Sequence, residues 1–327
     1  LGLGISSSLL ALYVLYTLGR VFAMNVEHLV GPASIAKWFV RDRALATAIA
    51  LAASRVGVGC WPAIAGLIFV AYDWRVAFYV MGVAMLVQSV VPWLIIVARR
   101  PEDMGLMPDG DAVPNVDEGP VFSTTADWTA REATSTSAFW LLTIAGGATM
   151  VGFGAVGLHR IPYYLDQGIS EAFVGPILIG FAVGLAMGGF VAARLTKYVS
   201  ERFAMAGILL CGALQMIVLI VVPANWWAVA HAFGDGLVMG GFFTLQPVIY
   251  ASFFGRNAVG SIMGLAQPAL LTGNAAGAFI GGAVYDLMGG NYTWVWGLLG
   301  VMIVVAASAV ALAKRPGLRG NAGTPVL

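Results

Sequence analysis

The chain is built from apolar runs of about 20 residues, near 9–33, 44–70, 76–97, 138–158, 172–195, 203–222, 226–251, 259–285 and 291–313. Each is long enough to cross a bilayer as a helix and about twice the length of a barrel strand. Lipid offers no water to a free backbone N–H or C=O, so runs of this length have to be helices. Composition agrees, because 60% of the 327 residues are apolar and only 10% are charged, against about a quarter charged in soluble domains. The reading is an all-α membrane protein with nine full transmembrane helices, residues 1–8 being the tail of a tenth. A net charge of +1 gives no bulk attraction to nucleic acid. Cys60 and Cys211 sit in apolar runs and read as small buried hydrophobes, so neither a disulfide nor a thiolate metal site is expected.

One long polar stretch divides the runs into two bundles: residues 1–98, a linker over 99–136, a second bundle over 137–314 and a tail over 315–327. Within the linker, Thr129-Ala130-Arg131-Glu132 fits a capping box. It reads either as the start of a short helix at the membrane surface or as a chance match in a flexible segment. Lys37, Arg41, Arg43, Arg99, Arg100, Arg131, Arg194, Lys197, Arg202, Arg256, Lys314, Arg315 and Arg319 fall on alternate connections, while the opposite side holds only Arg75 and Arg160. By the positive-inside rule the linker and C-terminus are cytoplasmic, in a plasma (inner) membrane.

A weak internal repeat relates the bundles. Phe39-Val40-Arg41-Asp42-Arg43 and Phe254-Gly255-Arg256-Asn257-Ala258 stand about 215 positions apart, and Tyr72-Asp73 and Tyr285-Asp286 about 213. Parallel repeats of six helices are a transporter design with the substrate site at the bilayer midplane between the halves. The chain opens on Leu1-Gly2-Leu3-Gly4 without Met or a basic n-region. The repeat then implies that roughly 80 residues, two helices and most of a third, precede it.

Several motifs occur in order on the right connections: Trp38-Phe39-x-Arg41-x-Arg43-Ala44-x-Ala46, Asp73-Trp74-Arg75, Arg100-Pro101-Glu102-Asp103-x-Gly105-Leu106-x-Pro108-Asp109-Gly110, His159-x-x-Pro162-Tyr163, and Phe254-Gly255-Arg256 with Gly260 and Gly264. With the six-plus-six pattern, they resemble the major facilitator superfamily, in the branch of monocarboxylate transporters and oxalate:formate-type antiporters. The resemblance covers the whole chain and implies two pseudo-symmetric bundles, the full spans here being the family's helices 4 to 12. The family's best-known signature would precede residue 1. Family members that handle lactate or oxalate place a cation on the span matching 172–195, sometimes with another on 259–285. Here the first has none before Arg194 and the second has none.

Charges inside spans are expensive and normally face a cavity or a partner. At about 1.5 Å per residue from the cytoplasmic ends, Glu27 lies about 12 Å deep, Arg55 about 16 Å and Arg20 about 22 Å. Glu27 and Arg55 are at depths suited to an ion pair, either a fixed structural bridge or part of the substrate site. Arg20 is left as the cation for a substrate carboxylate. It stands at the repeat position of Asp235, on spans that line the cavity in the resembled superfamily, and is the cation expected beside Asp235. His231, one turn before Asp235, shares its helix face. Together they read as a proton relay or as a pair that locks packing. Arg41, Asp42 and Arg43, with Arg256 as counterpart, resemble the family's cytoplasmic gate charges and also serve topology.

His28 points away from Glu27 and reads as a packed or interfacial histidine. Tyr163, Tyr164 and Trp140 read as candidates for the cavity wall, with anchoring near the outer interface the preferred reading for Tyr163 and Tyr164. Gly180, Gly184 and Gly188, and Gly273, Gly277 and Gly281, form stripes spaced by four that permit close helix contact; the resemblance implies that they give a sliding face toward the other bundle. Enzyme readings lack their residues: no HExxH, no Walker lysine, and Asp109-Gly110-Asp111 lies in a Pro/Gly-rich loop. No cofactor or metal is implied. The resulting expectation is a monomeric secondary transporter of a small organic anion, with proton coupling. The alternatives are an exporter of neutral or cationic drug-like solutes, using Asp235 and Glu27, or a transport-inactive membrane sensor.

Overall fold

The computed structural model of the chain describes residues 8–25, 31–72, 74–92, 94, 101, 104–110, 128–221 and 224–316. Among them, every regular element is helical: α1 (Leu9–Asn25), α2 (Gly31–Trp38), α3 (Arg43–Ala71), α4 (Trp74–Pro92), α5 (Ala130–Thr134), α6 (Ser137–Asp166), α7 (Val174–Leu195), α8 (Glu201–Ile220), α9 (Asn225–Phe254), α10 (Val259–Leu287) and α11 (Tyr292–Leu312). The described parts of the apolar runs are largely helical. Among the described residues, five segments are long and apolar enough to cross a membrane: α6, Glu171–Leu195 (which contains α7), α8, α9 and α11. At 29 residues α10 matches them in length but is less apolar, with Gln267, Asn274 and Asp286 along it.

Two compact units divide the chain, Leu1–Arg43 with Ala52–Val121 and Ala44–Leu51 with Phe122–Leu327. In the first, α2 ends beneath Arg43, whose Nε donates to the Phe39 carbonyl at 3.0 Å and whose Nη2 donates to that of Ala36 at 3.4 Å. These bonds satisfy carbonyls left free where a helix stops. In the second, the capping box before α5 is formed. Thr129 N–H donates to Glu132 Oε2 at 2.9 Å and Glu132 N–H to Thr129 Oγ1 at 3.3 Å, so the short helix exists.

The second unit is assembled from close helix pairs: α7 with α9, α6 with α10, and α8 with α11. Glycine makes the first two possible. A Cβ added at Gly184 or Gly188 would collide with the carbonyl oxygens of Phe233 and Leu237, and one at Gly236 or Gly240 with those of Phe181 and Leu185. Across α6 and α10, Gly273 faces the Gly147 carbonyl, Gly277 that of Val151, and Gly154 that of Asn274. The stripes thus hold helices together inside one unit, which corrects the expected sliding face toward the other bundle. A neighbouring face of α7 is separate: Gly189 and Ala193 take Ala48 and Ala44 there. Cys211 is exposed on α8 instead of buried.

This packing predicts opposite outcomes for glycines of the same kind. Gly184→Ala and Gly277→Ala force backbones apart and destabilise by about 1–3 kcal/mol or more. Gly207→Ala and Gly297→Ala meet nothing within 4 Å and gain up to about 1 kcal/mol of helix propensity. Thermal melting of the detergent-solubilised variants, followed by size exclusion, separates the two classes.

Candidate functional site

Helix α6 runs eight residues past the run read from hydropathy, to Asp166. Arg160 is therefore inside a helix and only 5% exposed, not on an outer connection. Its neighbours explain the extension, since Ile161, Tyr163, Tyr164 and Leu165 continue the apolar sequence beyond His159 and Arg160. Pro162 is tolerated inside a span where neighbouring helices satisfy freed backbone groups.

Residues one turn apart on α6 meet residues one turn apart on α9. Arg160 Nη1 donates to Asp235 Oδ2 at 2.9 Å, with both side chains about 5% exposed. Four residues later, Tyr164 OH lies 2.7 Å from His231 Nδ1. The opposite ring nitrogen of His231, Nε2, lies 2.9 Å from the backbone carbonyl of Gln215 on α8. A carbonyl oxygen can only accept, so Nε2 carries the proton, Nδ1 is the acceptor, and Tyr164 donates to it. On the far side of Arg160, the guanidinium lies 4.5 Å from the ring centre of Phe181 on α7, a favourable cation–π contact in a dry setting. The glycine contacts of α7 with α9 put Phe181 and Asp235 on adjoining turns of one interface, since Gly236 abuts the Phe181 carbonyl. Among the described residues, Arg160 Nε has no hydrogen-bond partner.

A second histidine, His159, is held in a parallel way. Its Nε2 lies 2.9 Å from the Ala278 carbonyl and its Nδ1 3.2 Å from Tyr292 OH. Tyr163 donates to the Leu219 carbonyl at 2.9 Å and packs edge-on against Tyr292 and Trp296. Tyr163 and Tyr164 are 5% and 1% exposed. They are buried, hydrogen-bonded side chains, which corrects their reading as interfacial anchors. Trp140 is half-exposed, its Nε1 donating to the Thr134 carbonyl at 2.8 Å.

Of the residues singled out from sequence, Asp235 and His231 do share one buried site. A cation that the sequence reading did not consider there, Arg160, pairs with Asp235. Arg20 lies on α1 and Arg55 on α3, but their side chains, like Glu27 and His28 entirely, are outside the described residues. Arg41 and Asp42 form an exposed ion pair at 3.5 Å, Arg43 is buried at the end of α2, and Arg256 follows Gly255 (φ 85°) at the end of α9. Among the described residues, no group of three His, Cys, Asp or Glu side chains is placed to hold a metal ion. Sequence reasoning placed Arg160 on the outer side and left Tyr164 between cavity wall and interfacial anchor, without joining either to His231 and Asp235. Their spacing of four, matching His231 and Asp235, was the available signal.

A family comparison decides the class. The model of the Major Facilitator Superfamily matches residues 1–266 and again residues 160–325. The chain belongs to the major facilitator superfamily. Its members are membrane transporters rather than enzymes, multi-pass proteins that bind small-molecule substrates within the bilayer. The second match falls inside the second unit, where the Arg160–Asp235 site lies. No curated protein matches the chain.

Removing one partner of a buried ion pair leaves the other charge without compensation, at a cost of about 3–5 kcal/mol. Arg160→Leu is expected to lower the melting temperature sharply, and Arg160→Leu with Asp235→Leu to recover most of the loss. A double variant no more stable than the single one would contradict the pairing.

Proposed function

We propose that the protein is a secondary carrier that moves a small organic anion of the monocarboxylate type by alternating access, with a proton taken up at Asp235. The observation that carries this reading is the Arg160–Asp235 pair: among the described residues, a buried arginine held through an Nη1–Oδ2 bond, with its Nε unpartnered. Arginine recognises carboxylates through two parallel N–H donors. Protonated Asp235 becomes a weaker acceptor for Arg160, and a substrate carboxylate replaces it. The exchange keeps the site's total charge the same, because proton and anion enter together. Buried charge is costly unless paired, so a cycle that never leaves Arg160 unpaired avoids that cost in both states.

His231 senses the proton at Asp235 through its place one turn away and through Tyr164. Arg20 supplies a further cation to the substrate, and Arg55, paired with Glu27, supports it. Arg41, Asp42, Arg43 and Arg256 act as gate charges on the cytoplasmic face, to which the linker and C-terminus belong, in a plasma (inner) membrane. The carrier works as a monomer. A second reading rests on the neutrality of the same pair: with no cation on α7 before Arg194 and none on α10, a neutral or cationic drug-like solute also suits the site.

Asp235→Asn is expected to lose pH-driven accumulation of labelled acid in proteoliposomes and to retain exchange between loaded and empty sides. The amide carbonyl still accepts from Arg160 and mimics the protonated acid. Retained pH-driven accumulation would remove Asp235 from the mechanism. Transport of neutral or cationic solutes without acids would favour the second reading, and movement of none of them would leave a membrane sensor.

A further inference from the structure

Asp109 reaches from the linker into the turn between α2 and α3. Its Oδ2 accepts from the backbone N–H of Val40 at 3.0 Å and of Arg41 at 2.9 Å, and its Oδ1 from that of Asp42 at 3.2 Å. Three successive N–H groups converging on one carboxylate form the anion-binding concavity that backbone amides make in turns. Because α3 begins at Arg43, the carboxylate also sits at the positive end of that helix's dipole. Asp109 has φ 61°, the one positive value among the described non-glycine residues, in the turn Pro108–Gly110. Partial burial pushes its carboxyl group up, but the N–H groups of Arg41, Val40 and Asp42 outweigh this and hold it below the usual carboxylate value. The contact is therefore at full strength near neutral pH and is lost only as pH falls through that lowered value.

The linker's other described end is fixed as well. Trp128 N–H donates to the Phe254 carbonyl at 3.0 Å, and the two rings meet edge-on at 6.4 Å. Phe254 is the repeat counterpart of Phe39, about 215 positions on. Each end of the linker thus docks on the same element of the repeat, the turn after Phe39 in the first unit and the end of α9 in the second.

We infer that the linker is anchored at both ends and that Asp109 is the positioning residue of the first anchor, holding the turn Val40–Asp42 in the ordered form that each transport cycle must restore. The effect on turnover rests on the proposed transport function; the anchor itself does not. Asp109→Asn and Asp109→Ala in the full-length protein test both. Asparagine adopts positive φ at least as readily as aspartate, so the backbone is not disturbed, but one acceptor oxygen becomes an NH₂ donor facing an N–H. Val40 and Arg41 are exposed, so water replaces the lost acceptor and the fold is kept.

Hydrogen exchange of amides 40–42 is expected to accelerate by about tenfold or more in both variants. The maximal rate of labelled-acid exchange in proteoliposomes is expected to fall by about threefold or more with KM unchanged, because the turn must be re-ordered in every cycle. Unchanged amide exchange overturns the anchor. Faster amide exchange with a wild-type maximal rate, or an effect confined to KM, overturns the positioning role. If the wild-type protein moves no solute, the proposed function fails and the limit on turnover with it, while amide exchange still decides the anchor.

Discussion

Lipid is as apolar as leucine, so helices in a bilayer gain little by covering one another's apolar side chains. What holds α7 to α9 and α6 to α10 is direct approach of backbones, and the approach is so close that any Cβ at Gly184, Gly188, Gly236, Gly240, Gly273 or Gly277 would occupy space taken by a carbonyl oxygen across the interface. Glycine is required on both helices of the α7–α9 pair, and this reciprocity fixes register. A shift by one residue in either direction would bring a side chain to the Gly184 point (Val183 or Leu185) and to the Gly236 point (Asp235 or Leu237).

The site inherits its geometry from that register. Asp235 immediately precedes Gly236, and Gly236 abuts the Phe181 carbonyl, so α7 presents the Phe181 ring to the same cation that Asp235 binds from α9. Arg160 then has an anion on one side and an aromatic face on the other. Such a pair is weak evidence for stability, since apolar replacements of similar volume are often neutral or better. Ionisable groups inside a membrane are retained for what they do, and in the proposed cycle this pair is an exchangeable anion site.

Much of the architecture was legible because it follows from one-dimensional pattern. Apolar runs give the helices, and Thr129 with Glu132 gives the cap of α5. The spacing of His231 and Asp235 gives a shared face. What stayed hidden depends on which helix lies next to which. The glycine stripes could be read, but their partners could not, so they were assigned to the wrong interface. Arg160 was lost for a related reason: a hydropathy run ends at a charge, and nothing local records that its counter-charge waits on α9. Tyr163 and Tyr164 resembled interfacial aromatics until the Leu219 carbonyl and His231 were found to receive their hydroxyls. For Arg20, Arg55 and Glu27 the sequence reading is still the one available.

The hydrogen bonds of His231 divide the work between the two titratable residues of α9. With Nε2 committed to the Gln215 carbonyl, a second proton on the ring would have to sit on Nδ1, where Tyr164 now donates. Tyr164 would then have to turn its hydroxyl and lose its acceptor in a setting where it is 1% exposed. A proton on Asp235 instead leaves Arg160 without its counter-charge, and in the proposed cycle the substrate anion that enters with the proton supplies one. In the proposed cycle the carboxylate is thus the carrier of the proton, while His231 fixes Tyr164 and, through the Gln215 carbonyl, ties α8 to the helices that hold the ion pair.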